Sequence, residues 1–480
     1  MKIVYIILTV VIMFSELHAE DYSTLIHPAD LQADFKQLYT DLEKSHVDLF
    51  ANVSEQSYDN KFNEIMAQLD QPLSRLKAQT LFQEFLAYGL IAHANIEFPA
   101  TAYESYRKDG GKAFPMYVEI TDGRWFVSED YSSHRLAKST EITHIDDIPV
   151  QDWLKLLHKY ISADTPALAS SLLEFQLPQY LWLIGAVNDN ISDEVSVRIN
   201  RNGDSKNLRV KFIDQQTLQE RINSISEHSE NESSELREYK ALTDTVGYLK
   251  PGPFYNAENP SDLWNNTNFS RFIDEAMEYF IVNKHEAIVI DVRNNPGGTN
   301  TFSDHLIAWF ADKPFKFASQ FLIRSSEHAQ ASNAARLAAT TKQGNSISHQ
   351  LAKFYEQNAF DTVANFSLAD SKPRTDKQYG GKIYVLIDRS SYSNAVSLAA
   401  IVQDYKLGSV IGEATADFAT TYASMESFKL KHTGIKVGFP KAHIIRPSGD
   451  KKAGPVYPDI ALTDITMDEA LRTIVNELSE

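Results

Sequence analysis

Residues 382–405 read KIYVLIDRSSYSNAVSLAAIVQDY. After Lys382 comes an apolar, largely β-branched or aromatic run that reaches Ile387, and such a run bounded by polar residues reads as a buried strand. SNAVSLAAIVQDY then reads as a helix, so strand, tight turn and helix follow within two dozen residues. Ser393 stands where the helix begins. Serine there is a favoured N-cap. It would also sit beside unpaired N–H groups and the positive end of the helix dipole, an environment that suits an alkoxide-like oxygen. The Asn394 N–H next to it is a candidate oxyanion donor.

The same alternation extends outward in both directions. VGYLKPG from Val246, EAIVIDVR, KFASQFLIR and SVIGEAT read as strands, and FSRFIDEAMEYFIVN and TFSDHLIAWFA read as helices. Strands alternating with helices predict an α/β layer with a largely parallel central sheet. The polar, helix-prone stretch 327–366 is an insertion into that pattern. Asp291 to Asn300, DVRNNPGGTN, forms a second turn after a strand. Pro296 fixes it, Gly297 and Gly298 open dihedrals closed to other residues, and its N–H groups could meet an oxyanion. Taken alone, each turn also reads as an ordinary strand-to-helix connection.

Toward the N-terminus the pattern changes twice. DLQADFKQLYTDLEKSHVDLF places Leu31, Phe35, Leu38, Tyr39 and Leu42 on one helical face, and KAQTLFQEFLAYGLIAHANI repeats that spacing up to His93. From Phe114 to Phe212 short runs such as PMYVEIT, RWFVSED and SVRINRNGDSKNLRVKF read as strands. RNGD between two of them signals a hairpin. The polar, acidic segment after Phe212 reads as a linker. The first residues, one Lys and then an apolar run ending near Phe14, read as a secretory signal peptide cleaved before Glu20. The expected organisation is therefore a signal peptide at 1–19, a helical region at 20–112, an α+β segment at 113–215, a linker at 216–243 and the α/β domain at 244–470.

Composition narrows the chemistry. The 480 residues carry a net charge of −18, which repels nucleic acid and anionic lipid, so neither is expected as a partner. No stable membrane insertion is expected once the signal is removed, and the protein is expected to be periplasmic or secreted. There is no Cys, which excludes disulfides, thiolate metal sites and a thiol nucleophile. No HExxH and no close His/Asp cluster with metal-ligand spacing occurs, so no metal and no cofactor is expected. Catalysis would fall to Ser, His, carboxylates or Lys.

Taken together, GYLK, EAIVIDVRNNPGG, KIYVLIDRSSYSNAVSLAAIVQDY, VIGEAT and YPDIAL, in that order from Val246 to Leu462, resemble the tail-specific, or C-terminal-processing, serine protease family. The resemblance implies Ser393 as nucleophile, with the N–H groups of Asn394 and Gly298 as oxyanion hole. FPMYVEI and STEITHIDDIPVQDWLKLL are similar to that family's PDZ-like module, which would make 113–215 a peptide-binding domain. Many members use a Lys after GE-x-T, but here Phe418 stands in that place. The tricorn-core-like branch uses His instead, which implies His93 as the base. That branch also has a Ser before the His and a Glu near the C-terminal end, where this chain has Ala92 and Lys452. Asp450 is read as a turn residue rather than as the group that orients His93. The implied activity is an exported serine endopeptidase that forms an acyl-enzyme on polypeptide substrates. The alternatives are an inactive peptide- or small-molecule-binding protein on the same fold, or a serine hydrolase of non-peptide esters. The oligomeric state is not readable from the sequence.

Overall fold

The structure, a computed structural model, describes residues 22–201, 203–226, 236–339, 347–462 and 465–479. The expected signal peptide lies outside them. The chain divides into two units. The N-terminal unit holds Glu16–Glu232 together with Met425–Pro440, and the C-terminal unit holds Ser233–Ser424 and Lys441–Glu480.

The N-terminal unit begins with helices α1 (Pro28–Ser45), α2 (Glu55–Met66), α3 (Arg75–Ala87) and α4 (Ala100–Lys108). Pro28 opens α1, and Ser54 and Ser74 cap α2 and α3 by accepting the amides of Ser57 and Lys77. The apolar face read from the sequence is buried throughout: Leu31, Phe35, Leu38, Tyr39 and Leu42. It closes on an aromatic cluster in which Phe35 stacks on Phe62 at 5.0 Å and meets Phe85 edge-on at 5.1 Å. Lys61 is drawn into this core because Glu84 meets its ammonium at 2.7 Å.

An antiparallel sheet follows. Its strands are β1 (Met116–Thr121), β2 (Arg124–Asp130), β3 (Glu141–Ile145), β4 (Glu194–Arg201) and β5 (Asp204–Lys211), in the spatial order of their numbering. Helices α5 (Val150–His158) and α6 (Pro166–Val187) lie between β3 and β4 in sequence. On β1, Ile120 donates its amide to the buried Glu174 of α6 at 2.6 Å. The hairpin expected at RNGD is β4–β5, paired in register down to Arg201 opposite Asp204. The segment expected to be a linker contributes one helix and one strand among the described residues. Gln215–Ser226 form α7, whose first turn is held by Asp214 accepting the Thr217 amide at 2.7 Å. The other end, Glu238–Ala241, is strand β6. An Asp cap and a sheet edge hold these polar residues, which offer little apolar surface of their own, and the two units divide between them, at Glu232 and Ser233.

The C-terminal unit continues through β7 (Val246–Lys250), α8 (Thr267–Val282), β8 (Ala287–Asp291), α9 (Asn300–Ile307), β9 (Gln320–Arg324), α10 (Glu327–Ala339), α11 (Ile347–Gln357), β10 (Val363–Asn365), β11 (Lys382–Ile387), α12 (Asn394–Tyr405) and β12 (Ser409–Gly412). It closes with β13 (Thr421–Lys429), β14 (Lys436–Ile445), β15 (Ile460–Ala461) and α13 (Met467–Ser479). The central sheet runs β15-β12-β11-β8-β7-β6, parallel from β15 to β7 with an antiparallel β6 edge, as the alternation predicts. Both faces are covered, which is why the strands read as continuous apolar runs. Ile288, Ile290 and Val385 pack with α8, α9 and α12, while Val289, Tyr384 and Leu386 pack with Ala470 and Ile474 of α13. Each such fully buried aliphatic side chain contributes about 1.5–3 kcal/mol.

Strand β9 pairs with β10 on one side and with the C-terminal part of β14 on the other, Gln320 opposite Ile445 through Ile323 opposite Ala442. The rest of β14 and most of β13 belong to the N-terminal unit. There Asp34, fully buried in α1, accepts the amides of His432 and Thr433, the latter at 2.6 Å. Asn95 and Gly438 exchange backbone hydrogen bonds at 3.2 and 2.8 Å. Among the described residues no helix is long and apolar enough to cross a membrane.

Candidate active site

Beyond β11 the chain turns sharply before α12, and Asp388 organises that turn. Its Oδ1 accepts the amides of Asn294 and Ser390, both at 3.1 Å. Ser391 is fully buried, with its hydroxyl in reach of Val292 O at 2.7 Å and Asp388 Oδ1 at 3.1 Å. Burial pushes the Asp388 carboxyl up to about 6. Ser390 and Ser391 thus serve the turn.

Ser393 differs from them. It is the N-cap residue of α12, yet its side chain makes no capping hydrogen bond, and its backbone sits at φ 53°, ψ −117°. An ordinary cap is extended and uses its hydroxyl on the helix amides. Positive φ at a non-glycine residue costs on the order of 1–3 kcal/mol and persists only where the surroundings impose it. Here they do. The Ser393 amide donates to Asp417 Oδ2 at 2.5 Å, its carbonyl accepts from Ser397 at 3.1 Å, and Tyr392 is tied to Asn295 O at 2.9 Å. Ser393 is half-buried, and Asn394 behind it is buried.

The glycine turn packs directly on this elbow. Gly297 has φ 79°, and a Cβ on it would lie 2.6 Å from both Asn394 N and Tyr392 O. Gly298 has φ 139°, and its Cβ would lie 2.1 Å from Phe254 O. Only glycine fits at either place. Asn295 shapes the turn, its Oδ1 accepting the Gly297 amide at 2.9 Å and its Nδ2 donating to Gly252 O at 2.8 Å. Among the described residues neither the Gly298 N–H nor the Asn394 N–H donates a hydrogen bond. The Asn394 side chain is engaged, donating from Nδ2 to the fully buried Ser303 Oγ on α9 at 3.0 Å.

The C-terminal unit therefore brings together three of the four residues singled out in the sequence: Ser393, Asn394 and Gly298. The fourth, His93, lies in the N-terminal unit. It is buried in a loop held by Asp164 Oδ1 on the Ala92 amide, Ser162 Oγ on Ala94 O at 2.6 Å and Gln83 Oε1 on the Ile96 amide at 2.7 Å. Asp450 is exposed, and its Oδ1 accepts the Lys452 amide at 3.0 Å, the geometry of a turn residue. Phe418 is half-buried and bridges to Pro455.

Residues 245–462 match the model of peptidase family S41. The matched segment spans the parallel strands of the central sheet and both turns of the site, so the resemblance seen in the motifs holds over the range where they lie. Over the whole chain the fold is similar to that of mature CPAF. In its lactacystin complex that protein gives a TM-score of 0.65 at 15% identity, covering 94% of this chain and 97% of the other. A second structure of mature CPAF gives 0.63 at 16% identity, covering 91% and 93%. None of the curated proteins matches the sequence.

Sequence reading missed three residues that shape this elbow and its glycine turn: Asp417, Asn295 and Ser303. Asp417 sits in GEATADFATTY beside Phe418, and nothing in that run marks it. Asn295 is visible only as part of NNPGG. Ser303 acts across a helix–helix contact that no local pattern encodes.

Proposed function

We propose that this protein is a serine peptidase that hydrolyses polypeptides through an acyl-enzyme on Ser393. One observation carries the reading: a strained serine with an uncapped hydroxyl stands at a helix N-terminus, beside backbone N–H groups that donate to no other group among the described residues. In the proposed reaction a base takes the Oγ proton as Oγ attacks the scissile carbonyl carbon. The carbonyl oxygen becomes an oxyanion held by the Asn394 and Gly298 amides. Collapse of that intermediate breaks the C–N bond, and the base returns the proton to the leaving amine. Water then attacks the ester by the same route and frees Ser393. We assign the base to His93 on the order of the motifs along the chain. The Ser393 amide, occupied by Asp417, is not available as an oxyanion donor.

The antiparallel segment around β1–β5 is proposed as a PDZ-like module that takes an extended peptide along a strand edge. Export by the N-terminal signal belongs to the same reading. A second reading, a silent binding protein on this fold, is favoured by Phe418 and Lys452, which stand where related enzymes carry charged catalytic partners.

The test is cleavage of a fluorescent unfolded protein near neutral pH by the mature chain, Ser393→Ala and His93→Ala, with fluorophosphonate labelling alongside. Cleavage and labelling lost in Ser393→Ala support the peptidase. Labelling without cleavage points to non-peptide esters. A wild-type protein that neither cleaves nor labels is the silent binder.

A further inference from the structure

Asp417 is fully buried, and one of its carboxylate oxygens is spent on the nucleophile's own backbone. The other, Oδ1, is buried with no hydrogen-bond partner among the described residues. A buried carboxylate that leaves one oxygen unpaired is costly, and a neutral side chain would avoid much of that cost. The chain nevertheless anchors this residue firmly. Thr415 Oγ1 donates to Asp417 O at 2.7 Å and accepts the Val456 amide at 3.0 Å, the Ala416 amide bonds to Arg389 O at 3.3 Å, and Phe418 bridges to Pro455. Asp417 is thereby held from β11's exit on one side and from the 450–456 segment on the other, with its carboxylate aimed at the Ser393 amide.

We propose that Asp417 is a positioning residue for the nucleophile: its carboxylate holds the Ser393 amide, imposes the positive φ, and thereby leaves Oγ clear of the helix cap and the Asn394 amide clear for the oxyanion. The inference rests on the peptidase reading. Without this acceptor, Ser393 relaxes toward an extended φ, its hydroxyl turns onto the first amides of α12 as an ordinary cap does, and the nucleophile points away from its attack position. The hold needs an acceptor oxygen at this place, and charge adds to it. Burial raises the carboxyl to about 6, so at neutral pH it is still largely ionised and makes a charge-assisted bond.

The test compares wild type with Asp417→Ala and Asp417→Asn. Three readouts are taken: the fluorophosphonate labelling rate, kcat and KM on the unfolded protein substrate, and hydrogen–deuterium exchange of the peptide spanning Ser393. The Asn carboxamide oxygen can accept the same amide, so the two variants separate position from bulk. The expected result is a labelling rate and kcat at least about tenfold lower in Asp417→Ala with KM little changed, recovered to within about threefold of wild type in Asp417→Asn. Exchange at the Ser393 amide should be fast in Asp417→Ala and slow in the other two. An Asp417→Ala protein that labels at the wild-type rate overturns the proposal. So does an Asp417→Asn protein that keeps wild-type melting but falls as far as Asp417→Ala. If Asp417→Ala does not fold, Asp417→Asn alone decides: slow exchange with near-wild-type labelling supports the hold, and fast exchange or lost labelling refutes it. A wild type that does not label sinks the peptidase reading instead, and exchange then judges the backbone hold by itself.

Discussion

Replacing Gly297 with Ala tests whether the packing of the two turns sets the catalytic geometry. The added Cβ would lie 2.6 Å from Asn394 N and Tyr392 O and 2.9 Å from the Ser393 Cβ, whereas ordinary contact begins at 3.4 Å. Two of those three atoms are backbone and cannot rotate away. The elbow must therefore retreat by roughly 0.8 Å, and a misplacement near 1 Å costs on the order of 100-fold in rate. The φ of 79° adds about 1–3 kcal/mol of backbone strain for a non-glycine residue. Gly449→Ala supplies the control, since Gly449 has φ 84° with nothing within 4 Å of a Cβ. It carries the strain without the displacement. Gly297→Ala should lose at least as much melting temperature as Gly449→Ala, and only Gly297→Ala should lose labelling and turnover, by about 100-fold with KM little affected. If Gly297→Ala labels within about threefold of Gly449→Ala, the elbow is not held by this contact and the reasoning fails.

Asp388→Asn should alter the pH dependence of stability in a definite direction. The native carboxyl titrates near 6, against 3.8 when unfolded, so the native state binds more protons between these values and wild-type stability falls as pH rises through them. The variant should therefore gain about 2.4 kcal/mol relative to wild type between pH 4 and pH 7.5 in chemical denaturation, whatever its absolute stability. Lys61→Met leaves Glu84 buried without its ammonium partner and should cost about 3–5 kcal/mol by the same assay. Asp34→Ala removes the acceptor for the His432 and Thr433 amides and should cost about 2–3 kcal/mol; a loss below 0.5 kcal/mol would mean water replaces it freely.

The sequence made the C-terminal fold legible because its strands are buried on both faces. AIVID and IYVLI have no polar side to confuse the period, and the helices between them are long enough to read. The N-terminal helices were legible for a different reason, since one continuous apolar stripe in α1 faces an aromatic cluster. Ser393, Asn394 and Gly298, proposed as nucleophile and oxyanion hole, could be picked out because they lie in two short local motifs. Asp417 and Ser303 could not, because each acts on the elbow from a distant part of the chain and looks like any polar residue in its own segment. The α7 helix was missed because its order comes from one capping carboxylate rather than from an apolar stripe.

The N-terminal unit is discontinuous in the chain, being completed by Met425–Pro440. Asp34 and Thr433 are 399 positions apart. A ribosome must therefore release most of the polypeptide before that unit can finish, and until then the Asp34 carboxylate has no amides to receive it. Closing so long a loop adds only slightly to the entropic cost, since the penalty grows with the logarithm of length, but such distant pairings form slowly. Neither unit can finish early: the N-terminal unit waits for Met425–Pro440, and the parallel sheet, although β7, β8 and β11 are already made, waits for β15 and α13. No single cut separates the chain into two whole parts. A fragment ending at Glu232 would lack the acceptors and donors of Met425–Pro440, and a synthetic peptide of that segment should bind it.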